Sequence, residues 1–148
     1  MVTVGAMTEP SRLAGPADVI VRLRARGLNP AGVQRIVFSG SVEGSPMVGS
    51  VTWNTEHAVV LITTGAPVKL TASNRQALID AVAEINATLA VLGLVVRDTG
   101  VYFTAHVYVD VDGTISGHAF EKTLDLVIAG TTQHRARLLA AANAQAGS

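Results

Sequence analysis

Residues Val101-Tyr-Phe-Thr-Ala-His-Val-Tyr-Val-Asp-Val111 decide the reading of the fold. Val101, Phe103, Ala105, Val107, Val109 and Val111 fall on one side of an extended chain. Tyr102, Thr104, His106, Tyr108 and Asp110 fall on the other. Successive side chains of a strand point to opposite faces, so this alternation predicts a half-buried strand. A strand with one apolar face belongs in an antiparallel sheet that rests one side on a core and turns the other to water or a partner.

On the N-terminal side of this strand, Ser73-Asn74-Arg75-Gln76 fits a capping box, in which a Ser hydroxyl and a Gln satisfy free backbone N–H groups. Leu78, Val82, Ile85, Leu89 and Leu92 then recur at helical spacing, and Gly93 supplies a stop. Leu94 to Arg97 reads as a short strand, and Asp98-Thr99-Gly100 as the turn into the long one. Asp112-Gly113 closes the long strand. From Ala119 the pattern is helical again, through Phe120, Leu124, Val127 and Ile128 to Leu138 and Leu139. Gly130-Thr131-Thr132 is where this helix is expected to kink or split, because Gly is costly inside a helix and Thr can recap one.

Further upstream, Pro16 and Asp18 suit the start of a first helix with Val19, Ile20 and Leu23 as its stripe, and Gly27 suits its end. Asn29-Pro30-Ala31-Gly32 reads as a turn. Three strands follow, over Val33–Val42, Met47–Trp53 and His57–Thr63. The continuous apolar run Ala58 to Ile62 places the third in the middle of the sheet. The whole predicts an α+β fold: a five-stranded, mainly antiparallel sheet with three principal helices over one face, in the order α-β-β-β-α-β-β-α. Residues 15–143 form a single domain, with a flexible leader at 1–14 and a flexible tail at 144–148.

The composition fits. The chain has 148 residues, 49% hydrophobic and 15% charged. A domain of this length buries about 70% of its unfolded surface and needs no staple. Lys plus Arg equals Asp plus Glu at 11 each, without the basic excess usual in nucleic-acid binders. The absence of Cys removes disulfides and thiolate sites and fits a reducing compartment. No apolar run approaches the roughly 18 residues of a spanning helix. A cytoplasmic protein is the plain reading, with no membrane association.

The sequence offers little chemistry. Gly44-Ser-Pro-Met-Val-Gly49-Ser50 has the glycine spacing of a phosphate loop but not its Lys. Asp110-Val-Asp112-Gly113 matches only part of a calcium loop. His57, His106, His118 and His134 form no metal-ligand spacing, although adjacent strands could bring His57 near His106. Asp80 with Glu84, and Glu121 with Asp125, have the spacing of carboxylate pairs, which on amphipathic helices are usually solvated or matched by Arg. No catalytic residue, cofactor site or metal site is assigned.

Two surfaces remain as candidates. The row Tyr102, Thr104, His106 and Tyr108 is a partner-binding face, because Tyr offers broad contact with a polar handle. On the second helix, Ile79, Ala83, Asn86 and Ala90 form a strip beside the apolar stripe. Its small residues permit close approach of an equivalent helix across a two-fold axis, giving a homodimer interface.

The apolar helix containing Ile85-Asn86, the short strand after it, the long alternating strand and the closing Phe120 helix together resemble the YbjN family over roughly residues 16–142. The glycine-rich first hairpin and Gly130 are points of departure. The resemblance implies the fold of type III secretion chaperones. It also implies a bacterial, non-enzymatic, dimeric protein that binds other proteins, and it brings no catalytic residues. The leading functional expectation is thus a protein-interaction or chaperone-like adaptor. The alternative is a small-molecule-sensing regulatory domain, and an enzyme is disfavoured by the missing acid, base and nucleophile.

Overall fold

The computed structural model describes residues 12–66, 68–89, 92–98 and 100–143. The elements begin with β1 (Arg12–Leu13), α1 (Pro16–Ala25), β2 (Asn29–Ala31), β3 (Arg35–Val42), β4 (Ser45–Asn54) and β5 (Val59–Gly65). They continue with α2 (Arg75–Asn86), β6 (Gly93–Arg97), β7 (Gly100–Tyr108), β8 (Ile115–Ser116) and α3 (Gly117–Asn143). Six strands form one antiparallel sheet in the order β2-β3-β4-β5-β7-β6. Strands β1 and β8 pair separately.

The α+β class, the three helices and the five expected strands are all present. The expected count of five is corrected to six, and the element order lengthens with it. The added strand is β2, read from sequence as a turn because of Pro30. Proline has no N–H for a ladder, which excludes it from a sheet interior but not from an edge. Strand β2 is that edge, with Pro30 opposite Phe38. The leader expected over 1–14 also ends in order, since Leu13 is fully buried and pairs with Ile115. Residues 1–11 and the tail at 144–148 lie outside the described residues.

Local chemistry sets the remaining boundaries. Glu43 and Gly44 join β3 to β4 with φ of 52° and 79°. The type I′ turn, one of the two that match the twist of a two-residue hairpin, needs positive φ at both positions, and glycine supplies one of them without strain. Strand β5 begins at Val59 rather than His57, because Ala58 adopts φ 53° in the preceding turn.

Helix α2 starts at Arg75 with Asn74 as its cap residue, and the expected capping box does not form. The Asn74 side chain accepts the Thr71 N–H at 2.7 Å and donates to the carbonyls of Lys69 at 2.8 Å and Ala142 at 2.9 Å. It is buried, and it clamps the start of α2 to the end of α3. Gln76 turns instead to Asp80, 2.9 Å away. Leu78, Val82 and Ile85 are buried as the stripe requires, while Leu89 and Leu92 pack against the core from beyond the helix.

The helix ends at Asn86, well short of Gly93. The Asn86 amide accepts the Leu94 N–H at 2.8 Å and donates to the Leu94 carbonyl at 2.7 Å. Strand β6 is the other edge of the sheet, and the Asn86 side chain answers one of its residues as a neighbouring strand would. An edge left with open N–H and C=O groups recruits other strands. Both edges are therefore blunted, one by brevity and Pro30, the other by Asn86.

Strand β7 lies between β5 and β6. Val101, Phe103, Ala105 and Val107 are buried, as the alternation predicts. The strand stops at Tyr108, and Val111 is fully exposed. The chain leaves the sheet in a turn held by Asp110 N–H to Thr114 O at 2.8 Å and Gly113 N–H to Asp110 O at 2.9 Å. All three helices lie over the side of the sheet that carries Phe38, Val51, Ile62 and Phe103, and with Phe120, Leu124 and Leu138 these form the core. Each such side chain contributes roughly 1.5–3 kcal/mol by leaving water.

Helix α3 is continuous through Gly130, against the expected kink or split. A Cβ there would stand 2.5 Å from Leu92 Cδ2 and 3.1 Å from Phe103 Cδ1, so the glycine marks close packing rather than a break. Thr131 and Thr132 return their hydroxyls to the carbonyls of Val127 and Ile128 at 3.2 and 3.3 Å. This back-bonding satisfies both Thr hydroxyls within the helix. Thr131 also meets Thr64 Oγ1 at 2.6 Å, joining α3 to β5.

Candidate functional site

The helices leave the second face of the sheet uncovered, and strand register assembles a surface there. Tyr108 lies opposite Val59, His106 opposite Leu61, Thr104 opposite Thr63 and Tyr102 opposite Gly65. The expected row is therefore real as an arrangement of side chains. It grades from half-buried Tyr102 and Thr104 to exposed His106 and Tyr108, the last 71% accessible. Thr63 Oγ1 lies 3.5 Å from Thr104 Oγ1. His106 and Tyr108 meet edge to face at 4.9 Å between centroids, with Nε2 and Oη 3.1 Å apart.

Cross-strand neighbours missed by sequence reasoning widen this face. Val37, Val48 and Leu61 are exposed large apolar side chains on β3, β4 and β5. Register brings Arg35 beside Thr52, Val37 beside Ser50, and Thr52 beside Leu61. A hollow of about 480 Å³ runs over Val48, Ser50, Thr63, Gly65 and Tyr102. A neighbouring hollow of about 330 Å³ shares Arg35, Ser50, Thr63 and Tyr102 and adds Leu61 and Arg97. The Glu43-Gly44 turn was the sequence signal that could have set the β3–β4 register and found Arg35, Val37 and Val48.

The charge on the two sides of the sheet differs. At the strand positions facing away from the helices, from Arg35 on β3 to Arg97 on β6, stand Arg35, Arg97 and His106 but no Asp or Glu. Among the described residues neither Arg35 nor Arg97 makes an ion pair. On the helix side the carboxylate pairs are taken. Glu121 faces Arg22 at 3.4 Å and Arg26 at 2.9 Å, and Asp125 also pairs with Arg26. Burial lowers the Arg26 pKa, but the hydrogen bonds it donates to Asp125 and Glu121 and their negative charge outweigh burial, and the net shift is upward. Glu84 pairs with Arg137, and Asp80 receives Gln76. Each carboxylate of these two pairs thus has a partner of its own.

The other motifs resolve the same way. Asp112 accepts the hydroxyl of Thr114 at 2.7 Å and its N–H at 3.0 Å, contacts that hold its carboxyl below the usual range. Asp110 pairs with Arg12. Both carboxylates thus serve the turn after β7. His57 sits in the β4–β5 turn and is not the cross-strand partner of His106, which is Leu61. His134 stacks on Phe103 at 6.0 Å. Among the described residues no three His, Asp or Glu side chains converge. No helix among them is long and apolar enough to cross a membrane.

Residues 34–140 match the YbjN family, described as "Putative bacterial sensory transduction regulator". The chain belongs to the YbjN family. No curated protein and no solved structure gives a significant match. The matched span begins at the threshold of β3 and takes in the open sheet face and both longer helices, while β1, α1 and β2 precede it.

In this YbjN chain the strip expected at a dimer interface is only partly available. Ile79 and Ala83 are exposed on α2. Asn86 is exposed as a residue, but its amide is committed to Leu94. Ala90 lies outside the described residues.

Proposed function

We propose that this YbjN-family protein is a non-enzymatic adaptor, chaperone-like in action, that works in the bacterial cytoplasm by presenting the open face of its sheet to a protein partner. The observation that carries the reading is that face itself. Among the described residues no helix lies over one side of the six-stranded sheet, which exposes Val37, Val48, Leu61, His106 and Tyr108 together. An exposed apolar patch rimmed by polar groups marks an interaction surface, and Tyr supplies area with a hydrogen-bonding end. The family's description as a regulator of sensory transduction supports a role exercised through binding. The type III secretion chaperone fold that the YbjN resemblance implies supports the same reading and adds dimerisation, for which Ile79 and Ala83 are the proposed contacts.

Photo-crosslinking tests the face. A photoreactive residue at Thr104 should trap a discrete partner in bacterial cells, and one at Arg24 on the outside of α1 should not. Equal trapping from both positions, or none from Thr104, would overturn the reading.

The hollow of about 480 Å³ favours a second reading, a small-molecule-sensing regulatory domain, since ligand pockets span roughly 300–1,000 Å³. A metabolite bound there raises the thermal midpoint by mass action. A shift abolished by Tyr102→Ala, with crosslinking from Thr104 unaffected, would select this alternative.

A further inference from the structure

We infer that the occupant of the open face is an acidic amphipathic helix of a partner protein, with its carboxylates on Arg35 and Arg97 and its apolar stripe on Val48, Leu61 and Tyr102. The inference rests on the adaptor reading and adds the chemistry of the partner.

The argument is one of charge complementarity. Arg35 and Arg97 line the same hollow from strands at opposite ends of the β3–β6 span. No carboxylate occupies a strand position on this face, and neither guanidinium is ion-paired among the described residues. The helix side shows how this chain treats cations that it intends to neutralise, with Glu121 and Asp125 set against Arg22 and Arg26. On the open face no strand carries such a counter-charge, which leaves both guanidiniums open to a partner's carboxylates. Between the two arginines the surface is apolar and hydroxylic, through Val48, Leu61, Ser50, Thr63 and Tyr102. A helix is the ordinary cover for a sheet face, because its apolar stripe matches the width of a few strands. Glu residues beside that stripe then reach the flanking guanidiniums, and Arg engages carboxylates through paired hydrogen bonds.

A second copy of this chain is a poor occupant. Its own open face carries the same arginines and no strand carboxylate to receive Arg35 or Arg97 of the first copy, and like charges across an interface oppose association. The hollows are also shallow and continuous rather than closed around a small ligand.

Fluorescence anisotropy on the full chain provides the test. One probe is a fluorescein-labelled amphipathic helical peptide with Leu on one face and Glu flanking it. The other is the same peptide with Gln in place of every Glu. The Glu peptide should bind, with affinity falling as salt rises. Arg35→Glu and Arg97→Glu should each weaken it by about tenfold or more, the scale of a lost charge-assisted contact. Arg24→Glu should leave it unchanged. Leu61→Asp should weaken both peptides, and circular dichroism should show every variant folded.

Equal binding of the two peptides, or Arg35→Glu and Arg97→Glu variants that bind as the wild type does, overturns the acidic partner. If Thr104 still crosslinks a partner in that case, the adaptor reading stands without it. If Thr104 traps nothing as well, both fall. Dimerisation abolished by Leu61→Asp but not by Ala83→Arg would also overturn the inference, because a second copy would then own the face.

Discussion

The two faces of β7 share one backbone and obey different rules. On the odd-numbered face, Val101, Phe103, Ala105 and Val107 are buried against the helices, and Phe103 touches both the Gly130 turn of α3 and the ring of His134. On the even-numbered face, Tyr102, Thr104, His106 and Tyr108 meet mostly side chains of neighbouring strands. A change on the first face must displace packed atoms. A change at exposed His106 or Tyr108 on the second displaces mainly water. The identity of the odd residues is therefore dictated by folding, and that of the even residues is left to whatever the face engages.

The comparison breaks most visibly at Val107. Val107→Asp places a carboxylate among apolar side chains, at a cost of about 3 kcal/mol or more without a partner for the charge. The variant is expected to unfold far earlier in denaturant than wild type. If it melts with the wild type, the odd face is not the core. Asn86→Ala comes next. It strips both partners from the Leu94 backbone, and buried groups left unpaired cost about 1–3 kcal/mol each before water recovers part of the loss. Hydrogen exchange should show β6 opening ahead of β5, whereas uniform protection would argue that the Asn86 bridge matters little.

Gly130→Ala sharpens the contrast. Helix propensity alone predicts a gain of about 1 kcal/mol. The contacts at Leu92 and Phe103 oppose that gain, since an added methyl must push packed atoms aside at about 1–3 kcal/mol, and the expected result is a net loss of up to about 2 kcal/mol. A higher thermal midpoint for this variant would refute the packing explanation. The smallest effect is expected at Tyr108→Ser, within about 0.5 kcal/mol, as for most exposed substitutions. A large destabilisation there would show that the even face is folded against something in the chain itself.

Sequence revealed the parts of this molecule that repeat a simple period. The alternation of β7 gave its orientation correctly as far as Tyr108, and the stripe of Leu78, Val82 and Ile85 gave α2 its buried side. What stayed hidden depended on partners distant along the chain. Pro30 reads as a turn until β3 lies beside it as the next strand in. Asn74 and Asn86 look like ordinary polar residues until Ala142 and Leu94 arrive. Gly130 looks like a breaker until Leu92 and Phe103 fill the space beside it. The candidate site divides in the same way. Its Tyr102–Tyr108 row is local and legible, while Arg35, Val48, Leu61 and Arg97 join it only through register.

The Asn74 clamp bears on how the protein is made. Thr71 and Lys69 are at hand as soon as Asn74 leaves the ribosome, but its third partner, Ala142, lies 68 residues further along. At the usual pace of translation that is a delay of roughly 3–14 s. Through that interval helix α2 has no completed α3 to lean on, and the apolar stripe of Leu78, Val82 and Ile85 lacks that part of its cover. The nascent chain thus carries a timed exposure, closed when the last turns of α3 emerge and their carbonyl meets the waiting amide.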